Sequence, residues 1–154
     1  MQTRSDTLAK SVRLAAMDLL ARREHSFAEL TRKLAQRFSE QVVFEQLSRL
    51  RDEKLQSDER FVESYVYSRQ QKGYGPMRIR SDLLQNGLAS DLISEYVIDD
   101  DDCWECMAIE LKIRKFGVTI PTDYKVRAKQ QRFLMQRGFT FYQISKSFQS
   151  IDRG

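Results

Sequence analysis

The chain has 154 residues, of which 41% are hydrophobic and 31% charged, and it contains two prolines. This composition is typical of a folded, helix-rich protein and argues against a disordered chain. No apolar run approaches the roughly 18 residues that a membrane span needs. The N-terminus also lacks the apolar block of a secretory signal, so we expect a cytoplasmic protein that does not bind membranes.

The net charge of +4 is unevenly distributed along the chain. Residues 1–56 carry 11 basic and 8 acidic side chains, residues 57–98 carry 5 and 6, and residues 103–154 carry 10 and 4. The acidic run Asp99–Asp102 lies between the last two segments. The last third of the chain can therefore face a polyanion, and a solvated mixed-charge surface is the alternative.

Apolar residues recur at helical spacing along nearly the whole chain, and no segment shows the alternation of a strand. After a first helix, Ser26 with Glu29 predicts a capping box at the start of a second helix, and Ser39 can cap a third. The side chains expected on the buried faces of these three helices are Leu8, Val12, Ala15, Ala16, Leu19, Leu20, Phe27, Leu30, Leu34, Phe38, Val43, Leu47 and Leu50.

Residues 73–76 read Gly-Tyr-Gly-Pro and follow a fourth helical segment that carries Phe61 and Val66. Gly73 suits the left-handed position after a helix, and Pro76 suits the first turn of the next one. A phosphate-binding loop needs a different glycine pattern after a strand, so the sequence favours a corner between two helices. Arg78 and Arg80, near a helix N-terminus, are either anion contacts or solvent-facing.

The fifth helix carries Ile79, Leu83 and Leu84 and is expected to end at Asn86-Gly87, after which Ser90 and Asp91 begin a sixth. A shift of 51 positions then aligns residues 82–97 with residues 133–148. The aligned pairs are Leu83 with Leu134, Gly87 with Gly138, Leu88 with Phe139, and Ile93 with Ile144. A looser match reaches the N-terminal segment. The repeat predicts three modules of three helices, at residues 1–56, 57–98 and 99–154, which pack side by side.

No catalytic or cofactor-binding motif is present in the sequence. Cys103 and Cys106 lie one turn apart, but a structural zinc site needs four ligands and the single histidine, His25, is distant. The four aspartates before Cys103 are better explained as a solvated linker that caps the next helix than as a cation site. We therefore expect no metal, no cofactor, no small-molecule substrate and no enzymatic activity.

The last module is the most basic part of the chain. Thr122 or Asp123 can start its second helix, on which Lys125, Lys129 and Arg132 share one face. Thr140 with Gln143 predicts a capping box for the final helix. A basic helical face can contact DNA phosphates or an acidic protein surface. The candidate partner or nucleic-acid contacts are Lys72, Arg78, Arg80, Lys112, Arg114, Lys115, Lys125, Arg127, Lys129, Arg132 and Arg137.

Three segments resemble the RecX family, whose members regulate the RecA recombinase. They read RREHSFAELTRKL (22–34), DERFVESYVYSRQQKGYGPMRIRSDLLQNGL (58–88) and KQQRFLMQRGFTFYQI (129–144). Val62 and Ser57 depart from the family pattern, where a small alanine and a second acid are common. The resemblance implies an all-α protein of tandem three-helix modules in an elongated, curved array, without enzymatic activity.

The resemblance also implies a partner and a mode of action. Family members bind in the groove of the RecA filament on DNA, where they lower ATP hydrolysis, strand exchange and filament extension, and so damp recombination and the SOS response. We expect the same of this chain, as a monomer with DNA as a possible secondary contact. The alternative is a helical protein that binds DNA non-specifically without contacting RecA.

Overall fold

The computed structural model describes residues 3–149, in which nine helices and no strand are found. The all-α fold class predicted from the apolar spacing is confirmed. The helices are α1 (Arg4–Arg22), α2 (Phe27–Leu34), α3 (Glu40–Asp52), α4 (Asp58–Gln71), α5 (Pro76–Gln85), α6 (Ser90–Tyr96), α7 (Asp102–Phe116), α8 (Tyr124–Gln136) and α9 (Phe141–Ser147). Three helices fall within each predicted module, and the module boundaries themselves stay a prediction. Within residues 3–149, no helix combines the length and apolarity that crossing a membrane requires.

Side-chain caps begin most of these helices. Ser26, Ser39 and Asp123 accept hydrogen bonds from backbone N–H groups in the first turns of α2, α3 and α8, as predicted. Thr140 and Gln143 form the predicted reciprocal capping box of α9. Such caps stabilise a helix by about 1 kcal/mol each, because they satisfy N–H groups that have no partner inside the helix.

The capping box predicted at α2 is only half correct. The backbone N–H of Glu29 donates to Ser26 Oγ over 3.0 Å, which is the expected half. The Glu29 carboxylate instead accepts two hydrogen bonds from the Arg23 guanidinium, at 2.8 and 3.0 Å. A bidentate, charge-assisted pair is stronger than a bond to one backbone N–H, so the carboxylate turns towards the arginine.

The chain divides into two compact units. One holds the residues up to Ser64 together with Leu83–Leu92, and the other holds Tyr65–Asp82 together with the residues from Ile93 onward. Helices α4, α5 and α6 therefore contribute residues to both units.

The core of the first unit lies among α1, α2 and α3. Its buried residues are Val12, Ala16, Leu30, Leu34, Val43, Leu47 and Leu50. Full burial of each larger aliphatic side chain stabilises the fold by about 1.5–3 kcal/mol. Leu8 is 46% exposed, so its predicted burial is wrong. It lies one helical turn before Val12, the first buried residue of α1, where the core no longer covers the helix.

The second unit packs α7, α8 and α9 together around Trp104, which is 1% exposed. The indole Nε1–H of Trp104 donates to the carbonyl of Ile98 over 2.9 Å, so burial leaves no donor unsatisfied there. The other buried apolar side chains on these three helices are Ala108, Leu111, Leu134 and Ile144.

The 51-residue repeat is visible in the structure as two equivalent helix ends. Gly87 and Gly138 have φ angles of +82° and +98°, a left-handed conformation that glycine adopts without steric cost. At both ends the following residue donates its N–H to the carbonyl five positions back, which closes the helix. The aligned apolar pairs are all buried. Leu84, expected inward, is 49% exposed because it lies about 100° around α5 from the buried Leu83.

Candidate partner-binding surface

The Gly-Tyr-Gly-Pro corner is bonded to the helix end at Gly138. The N–H of Gly75 donates to the carbonyl of Arg137 over 2.7 Å, and the N–H of Met77 donates to that of Gly138 over 2.9 Å. A Cβ on Gly75 would lie 2.5 Å from the carbonyl carbon of Gly138, which is closer than any real Cβ contact. Two glycines thus let the α4–α5 and α8–α9 corners meet backbone to backbone, with Pro76 in the first turn of α5 as predicted.

Three guanidinium groups surround the ring of Tyr74 at this junction. The Cζ atoms of Arg137, Arg78 and Arg69 lie 5.0, 5.4 and 5.7 Å from the ring centroid. Each cation–π contact contributes about 0.5–2 kcal/mol and holds its guanidinium in place. Since like charges repel, three fixed guanidiniums around one ring form a site that favours an anion.

Cations also contact a second aromatic ring nearby, that of Phe133 on α8. Arg137 Cζ and Lys115 Nζ lie 5.2 and 5.3 Å from its centroid. Arg137 also donates to the carbonyl of Lys72 over 3.1 Å. Arg114 Nη2 lies 3.6 Å from where a Cβ on Gly73 would stand. We call six cations at this junction the corner cluster: Arg69, Arg78, Lys115 and Arg137, which contact the two rings, and Lys72 and Arg114, which lie at or beside Gly73.

The carboxylate of Asp82 offsets part of this charge. Its Oδ2 lies 3.5 Å from Arg78 Nε and accepts a hydrogen bond from the hydroxyl of Tyr65 over 3.3 Å. Burial, together with this carboxylate, raises the pKa of Tyr65, so the hydroxyl remains a neutral donor. The corner cluster therefore keeps a strong positive surplus.

Known proteins resemble this chain along almost its whole length. The first, second and third three-helix domains of RecX match residues 13–50, 57–97 and 105–147. The "Regulatory protein RecX" of Pseudomonas fluorescens (strain SBW25) is 45% identical over 148 residues, which cover 96% of this chain and 95% of that protein. The "Regulatory protein RecX" of Pseudomonas tolaasii is 46% identical over 148 residues, which again cover 96% of this chain and 95% of that protein. This chain belongs to the RecX family.

A solved RecX structure shares the fold. The crystal structure of RecX from Lactobacillus salivarius superposes with a TM-score of 0.78 at 21% identity, covering 95% of this chain and 97% of that one. RecX is a family of regulatory proteins. The corner cluster combines residues of the second RecX domain with residues of the third.

Helix α8 of the third RecX domain carries a second group of cations. Lys125, Lys129 and Arg132 are exposed and follow one another at intervals of four and three residues. That spacing places them on one face of the helix, as predicted from the sequence. We call these three residues the α8 row.

Three further candidate contacts already have partners within the fold. Lys112 is 2% exposed, and its Nζ donates to the carbonyls of Gly117 and Thr119 at 2.9 Å. Burial lowers the pKa of Lys112. Arg80 donates to Asp99 over 2.6 Å, and Arg127 lies 5.6 Å from the ring of Phe148. We therefore leave Lys112, Arg80 and Arg127 out of the surface proposed below.

Arg69 and Tyr74 were not among the candidate contacts predicted from the sequence. The available signal was the four-residue spacing of Tyr65 and Arg69 on α4, which places the guanidinium 4.9 Å from the Tyr65 ring. Tyr74 had a partial local signal, because Arg69 and Arg78 lie five and four positions from it in the sequence, whereas its third cationic neighbour, Arg137, is 63 positions away.

Proposed function

We propose that this chain regulates the RecA recombinase by binding the RecA filament on DNA. Bound there, it lowers ATP hydrolysis, strand exchange and filament extension, and so damps recombination and the SOS response in the cytoplasm. The proposal is supported by membership of a family of regulatory proteins and by the corner cluster. The protein acts by occupancy and carries out no chemical step.

The corner cluster is the observation that carries this proposal. A filament of protein on DNA presents phosphates and acidic side chains along its length, and fixed cations attract both. A guanidinium that contacts an aromatic ring through its face presents its N–H donors at its edge. Two of these donors can bind one phosphate or carboxylate. If one monomer of this protein contacts several neighbouring RecA subunits, the individually weak contacts add up to a higher overall affinity for the filament.

The proposal is tested by the RecA ATPase on single-stranded DNA, with this protein added below stoichiometry. We expect inhibition by the wild type and at least tenfold weaker inhibition when Lys72, Arg114 and Lys115 are all changed to glutamate. These three substitutions do not alter the arginines whose guanidiniums contact the ring of Tyr74. The matched control reverses Arg4, Lys10 and Arg32, three exposed cations of the first unit, and changes net charge equally.

The second candidate function is non-specific DNA binding without RecA contact, which the α8 row favours. Cations on one helical face bind phosphates whatever the sequence, and the affinity then falls steeply with salt. Strong salt-dependent DNA binding with no effect on the RecA ATPase supports this second function. Equal inhibition by the wild type and the Lys72, Arg114 and Lys115 variant contradicts the proposed surface.

A further inference from the structure

A small apolar cleft lies between α8 and α9. It is lined by Gln131, Met135, Phe141, Ile144 and Ser145 and has a volume of about 50 Å³. Ile144 is only 4% exposed and forms the buried part of the lining. A volume of this size suits the end of one aliphatic side chain.

The side chains beside the cleft are large, apolar and exposed. Met135 is 50% exposed, Phe141 79% and Tyr142 60%. They stand within eight positions of one another at a single helix–helix corner. Exposed apolar side chains that gather around a cleft and are bordered by polar residues mark protein interaction sites. An aromatic ring such as that of Phe141 also supplies a large contact area once a partner covers it.

Charge identifies the kind of partner. From Tyr124 to Gln149 the sequence contains no aspartate or glutamate. The cations of this segment are Lys125, Lys129, Arg132, Lys146, Arg127 and Arg137. Lys146 Nζ lies 5.3 Å from the ring of Tyr142, so at least one ammonium stands directly beside the apolar patch. An acidic partner is attracted to this segment, and a basic one is repelled.

We propose that the α8–α9 cleft receives one apolar side chain of an acidic peptide segment on the protein partner. The apolar side chain enters between Met135 and Phe141, and the acidic residues on either side of it are attracted by Lys146 and by the other cations of the segment. This inference rests on the proposed function for the identity of the partner. It adds the two interactions by which the partner is bound, one apolar and one between opposite charges.

Methionine methyl resonances provide the test. The chain is labelled with ¹³C in its methionine methyl groups and titrated with a blocked synthetic nonapeptide of aspartates and glutamates around a central leucine. We expect a saturable shift of the Met135 signal, while the signal of Met17, which is exposed on α1, does not move. A nonapeptide with serine at its centre and a second with lysines around leucine should each bind at least about tenfold more weakly, because each lacks one of the two interactions.

Variants of the protein complete the test. Phe141→Ser should weaken binding of the acidic, leucine-centred peptide about tenfold, because the peptide loses its aromatic contact. The control Leu14→Ser removes a 69% exposed apolar side chain of α1 and should leave binding unchanged. Equal affinity for the leucine- and serine-centred peptides, or unchanged affinity of Phe141→Ser, overturns the inference.

The RecA ATPase assay separates this inference from the proposed function. If the wild type inhibits the ATPase but its Met135 signal does not respond to the acidic peptide, the inference is refuted and the function stands. If the peptide binds at Met135 and the ATPase is unaffected, the cleft is supported as an acidic-peptide site and the proposed function is contradicted.

Discussion

Gly75 and Gly138 lie so close together that neither position has room for a side chain. A Cβ on Gly138 would overlap the Cβ of Arg78 and lie 2.5 Å from its backbone nitrogen. Gly117 also has a positive φ, +88°, but nothing lies within 4 Å of where its Cβ would be. A side chain at Gly117 would therefore introduce backbone strain alone, whereas one at Gly138 would also introduce steric overlap.

We expect Gly117→Ala to lower the free energy of unfolding by about 1–3 kcal/mol, because its φ of +88° and ψ of 178° lie in a region that is essentially restricted to glycine. Gly138→Ala should cost about 3 kcal/mol or more, since the α5 backbone must also move away. Urea unfolding followed by circular dichroism measures both. Equal losses in the two variants would show that the corner adapts easily and that the close approach is not required.

His25 is the single histidine of the chain and is only 2% exposed. Its Nδ1 lies 3.0 Å from the carbonyl of Arg23, and its Nε2 lies 3.3 Å from Lys33 Nζ. Because an ammonium only donates, Nε2 accepts and Nδ1–H donates, which assigns the neutral tautomer. Burial lowers the pKa of His25, as do the charges of Arg23 and Lys33, while the Arg23 carbonyl and Glu29 partly oppose them.

A lowered folded-state pKa makes stability depend on pH. The unfolded chain takes up a proton near the ordinary value of 6.5, and the folded chain does so only at lower pH. Stability is therefore complete above about pH 6.5 and is lost as the pH falls from there through the folded pKa, by at most about 1.4 kcal/mol per pH unit. Urea midpoints between pH 7.5 and 5.5 should show this slope, and His25→Asn should flatten it. A variant with the wild-type slope would exclude His25 as the cause.

At the scale of the helices, α8 separates its charges from its core contacts. Gln130 and Leu134 are buried, whereas the α8 row is exposed. The 3.6-residue period accounts for this division, because positions 125, 129 and 132 share one face and position 134 lies on another. Charge on the α8 row can therefore be changed with little effect on packing.

Changing Lys125, Lys129 and Arg132 together to glutamate should abolish inhibition of the RecA ATPase, because the reversed face repels phosphates and acidic side chains. The circular dichroism signal of the helices should stay within about a tenth of the wild-type value, since exposed positions contribute little to stability. The variant with Arg4, Lys10 and Arg32 reversed is again the control for net charge. Undiminished inhibition by the α8-row variant would remove this row from the binding surface.

At the scale of the whole molecule, positive charge is concentrated in a chain whose net charge is modest. The net charge of +4 conceals a segment of 26 residues, from Tyr124 to Gln149, without an acidic side chain. Segment counts taken from the sequence already indicated this concentration in the last third. They did not indicate the corner cluster, half of which comes from residues 57–98, where acidic side chains outnumber basic ones.

The sequence by itself determined the helices, most of their caps, the glycine ends and the repeated buried positions. These features depend on residues within about five positions of one another, so local spacing and capping chemistry suffice to predict them. Only the tertiary structure decided which polar groups find partners: Glu29 turns to Arg23, Lys112 binds two carbonyls, and the ring of Tyr74 contacts Arg137 in addition to Arg69 and Arg78. Arg78 and Arg137 are 59 positions apart, and only the contact between two glycine corners brings them to the same ring.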